Sequence, residues 1–145
     1  MAGPAALPLA VVAGEHSGDA IGADLLRALH VRRPELAVQA VAGEQMLAAG
    51  CEPVAHVDEL SVMGLVEIIG SYPRLARLRR GLARRFLASP PAVFVGIDAP
   101  EFLLPLEARL RAAGIPVVHY VSPQVWAWRQ YRWRGIARSV DLMLT

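Results

Sequence analysis

The alternation of apolar and polar positions divides the chain into strand-sized and helix-sized pieces that follow one another in turn. Leu9 to Ala13 is an apolar run that stops at Gly14, and Ile21, Leu25 and Leu29 then recur every four residues, which predicts strand, loop and helix. Pro34 ends that helix. Ala37 to Ala42 predicts a second buried strand, and Gln45 to Ala49 a short helix closed by Gly50. Val54 to Val57 reads as a strand, whereas the apolar stretch from Val62 to Ile69 shows no assignable period. From Pro73 onward, Leu75, Leu78, Leu82 and Phe86 repeat at three- and four-residue steps with arginines filling most of the rest, which predicts an amphipathic helix terminated by Pro90 and Pro91. Ala92 to Ile97 has the continuous apolar character of a strand buried on both faces of a parallel sheet. Glu101 to Ala113 predicts a helix stopped by Gly114, with Pro105 expected to kink it or delay its start. Pro116 to Tyr120, Gln130 to Arg138 and Val140 to Leu144 continue the series as strand, helix and strand.

Such alternation predicts an α/β fold: a Rossmann-like open parallel sheet with right-handed crossovers and helices on both faces. A length of 145 residues suits one domain, residues 1–145, with a core of its own. Ligands of such sheets bind outside the carboxyl ends of the strands, so the loops after Ala13, Ile97 and Tyr120 are expected to share one edge.

Composition narrows the setting. Hydrophobic residues make up 54% and charged residues 19%, which argues against disorder, and no apolar run approaches the ~20 residues of a spanning helix. Leu7 to Ala13 lacks the preceding basic residues of a signal peptide and reads as a strand. Cys51 is the only cysteine, so there is no disulfide framework or thiolate metal cluster, which suits the cytoplasm. The net charge of +2 is too small for a polyanion binder, but Arg74, Arg77, Arg79, Arg80, Arg84 and Arg85 crowd one segment, so the positive charge is local. That segment has no interleaved aromatics, which disfavours nucleic acid as a partner.

Three loops carry candidate chemistry. In Gly14-Glu15-His16-Ser17-Gly18-Asp19 two glycines free the backbone to turn tightly before a helix N-terminus that suits an anion or hydroxyl; the plainer alternative is a turn with Ser17 as helix cap. It has neither GxGxxG spacing nor a P-loop lysine. Gly96-Ile97-Asp98-Ala99-Pro100 places a carboxylate at the end of an apolar strand, where partial burial is expected to raise its pKa as a general base needs; helix capping by Asp98 is the alternative. Val121 to Arg129 packs Ser122, Gln124, Trp126, Trp128 and Arg129 together, aromatic faces for sugar or acyl surfaces beside donors for hydroxyls and phosphates.

Taken together, Ala13-Gly14-Glu15-X-Ser17-Gly18-Asp19, Gly96-Ile97-Asp98-Ala99-Pro100 and His119-Tyr120-Val121-Ser122-Pro123-X-Val125-Trp126-Ala127-Trp128-Arg129 resemble the lipid-A-disaccharide synthases. Val62-Met63-Gly64 and Pro73-Arg74-Leu75 add to the match, which follows the family's order over nearly the whole chain. Two departures stand out: Ala42-Gly43-Glu44-Gln45 replaces a Gly-Gly-Pro-like turn, and His16 stands where a small residue is usual. The resemblance implies the N-terminal, acceptor-side domain of a GT-B enzyme whose C-terminal, donor-binding domain is absent from this chain. It implies inverting, metal- and cofactor-free transfer of 2,3-diacylglucosamine from UDP-2,3-diacylglucosamine to 2,3-diacylglucosamine 1-phosphate, with release of UDP. Asp98 would be the catalytic base, with Gly14, Glu15, Ser17, Ser122, Gln124, Trp126 and Arg129 binding substrate. Because both substrates are lipids, Val62, Met63 and Leu65 are expected to meet the inner face of the cytoplasmic membrane, with Arg74, Arg77, Arg80 and Arg84 facing its phosphates. The alternatives are an ordinary helix with a solvated charged face and, for the whole chain, a non-catalytic module that binds acylated sugar phosphates or a membrane surface.

Overall fold

A computed structural model describes residues 8–60, 65–120 and 141–144. These residues form six strands and four α-helices: β1 (Leu9–Ala13), α1 (His16–Arg32), β2 (Val38–Ala42), α2 (Glu44–Ala48), β3 (Glu52–His56), α3 (Leu65–Ala88), β4 (Val93–Ile97), α4 (Pro100–Ala112), β5 (Val117–Tyr120) and β6 (Leu142–Leu144). A single 3-10 turn, Val57–Glu59, follows β3. The strands make one sheet in the order β3-β2-β1-β4-β5-β6, and every pairing is parallel. The expected Rossmann-like sheet is therefore present.

The two faces of the sheet bury different side chains because successive strand residues point to opposite sides. Leu9, Val11, Ala13, Ala40, Ala42, Val95 and Ile97 pack against Ala23 and Leu26 of α1 and Met46 of α2. Ala10, Val12, Val41, Phe94 and Val117 pack against Leu82, Ala83 and Phe86 of α3 and Leu103, Leu106 and Leu110 of α4. Phe86 and Phe94 meet edge to face, their centroids 5.7 Å apart. Each such fully buried side chain stabilises the fold by about 1.5–3 kcal/mol relative to exposure.

Helix ends follow from local sequence. Pro34 disfavours helical backbone at Arg33, and α1 stops at Arg32. After α4, Gly114 adopts φ +91, its N–H donates to the Arg111 carbonyl at 2.9 Å, and the Ile115 N–H donates to Leu110 at 3.1 Å, which closes the helix with a Schellman turn. Two proline readings need correction. The helix around Pro73 begins at Leu65, so proline lies inside α3, and the apolar stretch that had no period contributes its first turn. Pro105 does not delay α4, which starts at Pro100 and continues through it to Ala112. A proline removes one backbone donor; in α4 core residues on both sides of Pro105 (Leu103 before it, Leu106 and Leu110 after it) are held by one core, and that same core holds Leu75, Leu78 and Leu82 of α3 after Pro73.

β6 is tied in by a side chain. Asp141 Oδ2 accepts the Val117 N–H at 2.7 Å while its Oδ1 accepts from Arg111 Nε at 3.0 Å. Both contacts hold the carboxyl below its ordinary pKa of 3.8, the Val117 N–H first.

Candidate functional site

The strand order reverses between β1 and β4, and sheets of this topology bind ligands at such a switch point, outside the carboxyl ends of the strands. Ala13 and Ile97 are register partners at the ends of these strands, so the loops that follow them face each other. The Gly14 N–H donates to the Ile97 carbonyl at 3.1 Å, and the Asp98 N–H donates to the Tyr120 carbonyl at 3.1 Å. Two of the three expected loops are thereby brought to one edge. The third begins at Val121, directly after Tyr120, and Ser122, Gln124, Trp126 and Arg129 lie outside the described residues.

Asp98 and Ala99 both take left-handed backbone, with φ of 60° and 40°. Aspartate tolerates this conformation, whereas for alanine it costs on the order of 1 kcal/mol or more. The turn places Ala99 above Gly14 so closely that any Cβ at residue 14 would overlap the Ala99 methyl. Gly14 is thus needed for close approach, not for a left-handed turn; neither it nor Gly18 has positive φ, which corrects the expectation of two conformationally permissive glycines.

The Asp98 carboxylate is part-buried and oriented from two sides. Oδ1 accepts the Ala99 N–H at 2.9 Å, and Oδ2 accepts the Ser17 hydroxyl at 3.3 Å across 81 residues of sequence. Neither capping alternative holds. The N-cap of α4 is Ala99 and that of α1 is Glu15, and no side chain caps either helix. Ser17 instead lies in the first turn of α1 with its hydroxyl committed to Asp98, and Glu15 is exposed. A carboxylate held by a hydroxyl and a backbone amide at an open sheet edge can accept a proton from a bound alcohol.

The sequence model of the family described as lipid-A-disaccharide synthetase matches residues 9–145. This chain belongs to that family. A lipid-A-disaccharide synthase of Alkalilimnicola ehrlichii is 56% identical over 136 residues, covering 94% of this chain and 36% of the relative. One from Klebsiella pneumoniae is 52% identical over 144 residues, covering 99% and 38%. The chain thus spans a little over a third of the length of the relatives it matches. Among solved structures, a UDP-GlcNAc 2-epimerase from Neisseria meningitidis superposes with a TM-score of 0.56 at 10% identity, over 94% of this chain and 38% of that one, a likeness of fold alone. Family membership accounts for the order of the motifs, and the fold accounts for why Ser17 and Asp98 meet.

Asp19, the last residue of the first motif, does work that sequence reading did not assign. Its buried carboxylate accepts the N–H groups of Gly43 at 2.8 Å, Gln45 at 3.0 Å and Met46 at 3.0 Å, and so caps α2 from the neighbouring helix. The departure at Ala42-Gly43-Glu44-Gln45 therefore falls on a turn organised by Asp19. His16 is the first residue of α1 and pairs with Asp58 after β3, Nε2 to Oδ1 at 2.8 Å, both well exposed. It is not directed at Asp98.

The residues expected to face a membrane are reached only in part. Val62 and Met63 lie outside the described residues, and Leu65 opens α3. Arg74, Arg77, Arg80 and Arg84 are exposed while Leu82 and Phe86 are buried and Leu75 and Leu78 half-buried, so α3 is amphipathic as read. Among the described residues no helix is long and apolar enough to cross a membrane. Arg79 takes another role, donating to the Phe102 carbonyl at 3.5 Å and lying over the Phe102 ring, which joins α3 to α4.

Proposed function

We propose that this chain is the acceptor-side, N-terminal domain of an inverting GT-B glycosyltransferase that joins UDP-2,3-diacylglucosamine to 2,3-diacylglucosamine 1-phosphate and releases UDP. The contact between Ser17 and Asp98 at the switch point supports this reading best, because it orients a carboxylate where an acceptor alcohol would enter. Asp98 takes the proton of the acceptor 6-hydroxyl while that oxygen bonds to the anomeric carbon; the bond from that carbon to the UDP oxygen breaks, and UDP leaves with the electron pair. A positioned base contributes roughly 10²–10⁴-fold. Ser17 and the Ala99 N–H hold the carboxylate, and Gly14 and Glu15 border the acceptor. Ser122, Gln124, Trp126 and Arg129 are the further acceptor-binding residues, and a second domain outside this chain supplies the donor.

The test is a fusion in which residues 1–145 replace the matching third of the Alkalilimnicola ehrlichii synthase. The fusion is expected to release UDP from the two lipids, and the 145-residue chain alone to release none. Asp98→Asn in the fusion should lower turnover at least about 10²-fold and spare acceptor binding. Near-normal turnover in that variant removes Asp98 from the chemistry.

Peripheral attachment to the inner face of the cytoplasmic membrane belongs to the same reading and is supported by the exposed arginine row of α3. Each arginine near an anionic surface contributes about 1 kcal/mol. Sedimentation of the chain with phosphatidylglycerol vesicles should fall when Arg74, Arg77, Arg80 and Arg84 become glutamine. Unchanged sedimentation refutes the attachment.

A further inference from the structure

Outside the Asp98 turn the fold contains one wholly buried pair of titratable side chains among its described residues. Glu107 of α4 is 0% exposed and His119 of β5 is 1% exposed, and His119 Nδ1 lies 2.7 Å from Glu107 Oε1. Glu107 Oε2 and His119 Nε2 have no partner among the described residues. Burial pushes the Glu107 carboxyl above its ordinary pKa of 4.5, and the bond to His119 offsets part of that rise. A carboxylate and an imidazole buried in the sheet–helix core, with Leu103 beside the same Gly96 slot, are a poor choice for stability alone, since apolar side chains of similar volume fill such a space at least as well.

The location of the pair suggests another reason. Gly96 of β4 is the register partner of His119, and a Cβ on Gly96 would overlap Glu107 Oε1. The carboxylate thus occupies a slot that exists because residue 96 has no side chain, and three elements, α4, β4 and β5, converge on it. Two residues beyond Gly96 stands Asp98, and the residue after His119 is Tyr120, whose carbonyl accepts the Asp98 N–H. The first residue of α4, Pro100, follows the left-handed pair Asp98 and Ala99 directly.

We propose that Glu107 and His119 are positioning residues for the Asp98 turn: their buried bond, seated over Gly96, fixes where α4 sits against β4 and β5 and thereby holds Asp98 and Ala99 in left-handed backbone. The effect on turnover rests on the reading of Asp98 as base; the effect on backbone geometry does not. The pair touches no substrate. Its action passes through the Tyr120 carbonyl and the start of α4.

The experiment has two arms and one double variant, Glu107→Leu with His119→Phe, which replaces the polar pair by an apolar one. In the 145-residue chain, amide hydrogen exchange is read at Asp98 and Gly14, with Val11 and Val12 of β1 as internal references. The double variant is expected to keep or raise the melting temperature yet exchange about tenfold faster at Asp98 and Gly14 alone. In the fusion its kcat should fall roughly tenfold or more, with KM for the acceptor little changed, as expected when a reacting group is displaced. Glu107→Gln keeps the shape and one hydrogen bond and should stay within about threefold of the parent in both arms. Unchanged exchange at Asp98 and Gly14 in the double variant overturns the proposal, as does an equal loss in Glu107→Gln. Gly96→Ala, which expels the carboxylate while keeping both partners, must give the same local loss of protection; if it does not, the proposal fails even where the double variant does not fold. Altered exchange with a fusion indifferent to Asp98→Asn would leave the positioning intact and remove only the assignment of the base.

Discussion

Gly14→Ala is the most informative single change, because its effect has two parts of opposite sign that can be separated. At a backbone without positive φ, glycine to alanine ordinarily stabilises by about 0.4–1 kcal/mol through the unfolded chain. Here the added methyl overlaps the Ala99 Cβ and lies 3.3 Å from the Ala99 Cα and 3.5 Å from its nitrogen. The obstacle is backbone held in a left-handed turn, not the end of a flexible side chain, so relief requires moving β1 away from the Asp98 turn. Overpacking of this kind costs about 1–3 kcal/mol, and near its upper end the net loss is about 2 kcal/mol. For a chain of this length that is roughly a 6 °C fall in melting temperature, measurable by circular dichroism together with urea titration. Ala99→Gly removes the obstructing Cβ and relaxes the strained turn while adding freedom to the unfolded chain, so by itself it should change stability by less than about 1 kcal/mol. Combining the two should recover at least about 1 kcal/mol of the Gly14→Ala loss as coupling energy. Additivity of the two changes to within about 0.5 kcal/mol would show that the steric argument is wrong.

The other structural expectations are simpler. Asp19→Ala strands three backbone donors at the start of α2 and should destabilise by about 3 kcal/mol in denaturant titration; a loss below about 1 kcal/mol contradicts the capping role. Asp141 has its folded pKa lowered below 3.8, so its contribution is present above that value and disappears as the pH falls through the folded pKa. Asp141→Asn should therefore lower stability at neutral pH and flatten the acid limb below about pH 4; an unaltered acid limb rules the linkage out.

Much of this architecture is legible in sequence because a buried parallel strand has nowhere to place polar residues. Leu9–Ala13 is observed with the predicted bounds, Val93–Ile97 falls one residue inside its own, and together they locate the edge where Asp98 had to lie. Prolines 73 and 105 misled because local punctuation was overruled by a leucine stripe anchored in the core. The conformation of Asp98 and Ala99 was beyond reach, since a left-handed alanine is set by what stands opposite it, and Gly14 is more than 80 residues away. The buried pair left a trace that pattern reading passed over. Glu107 lies on the same helical stripe as Leu103 and Leu110, and His119 on the same strand face as Val117, so each is a polar residue at a core position. Asp19 likewise shares a helical stripe with the buried Ala23 and Leu26, but its partners are backbone amides of α2, which no residue type signals.

The insertion of β4 between β1 and β5 also bears on how the protein is made. During translation β1 and β2 emerge and can pair early, but the other edge of β1 waits for Val93–Ile97, some eighty residues later. Throughout that interval the nascent chain presents an apolar strand, Leu9–Ala13, with unpaired N–H and C=O groups, the kind of template that recruits other chains. The Ser17 hydroxyl meets its carboxylate only when this edge is closed. A ribosome-bound intermediate lacking β4 therefore has no Ser17–Asp98 contact and is adhesive, and the demand for chaperone protection should end with the same strand that completes the Asp98 turn.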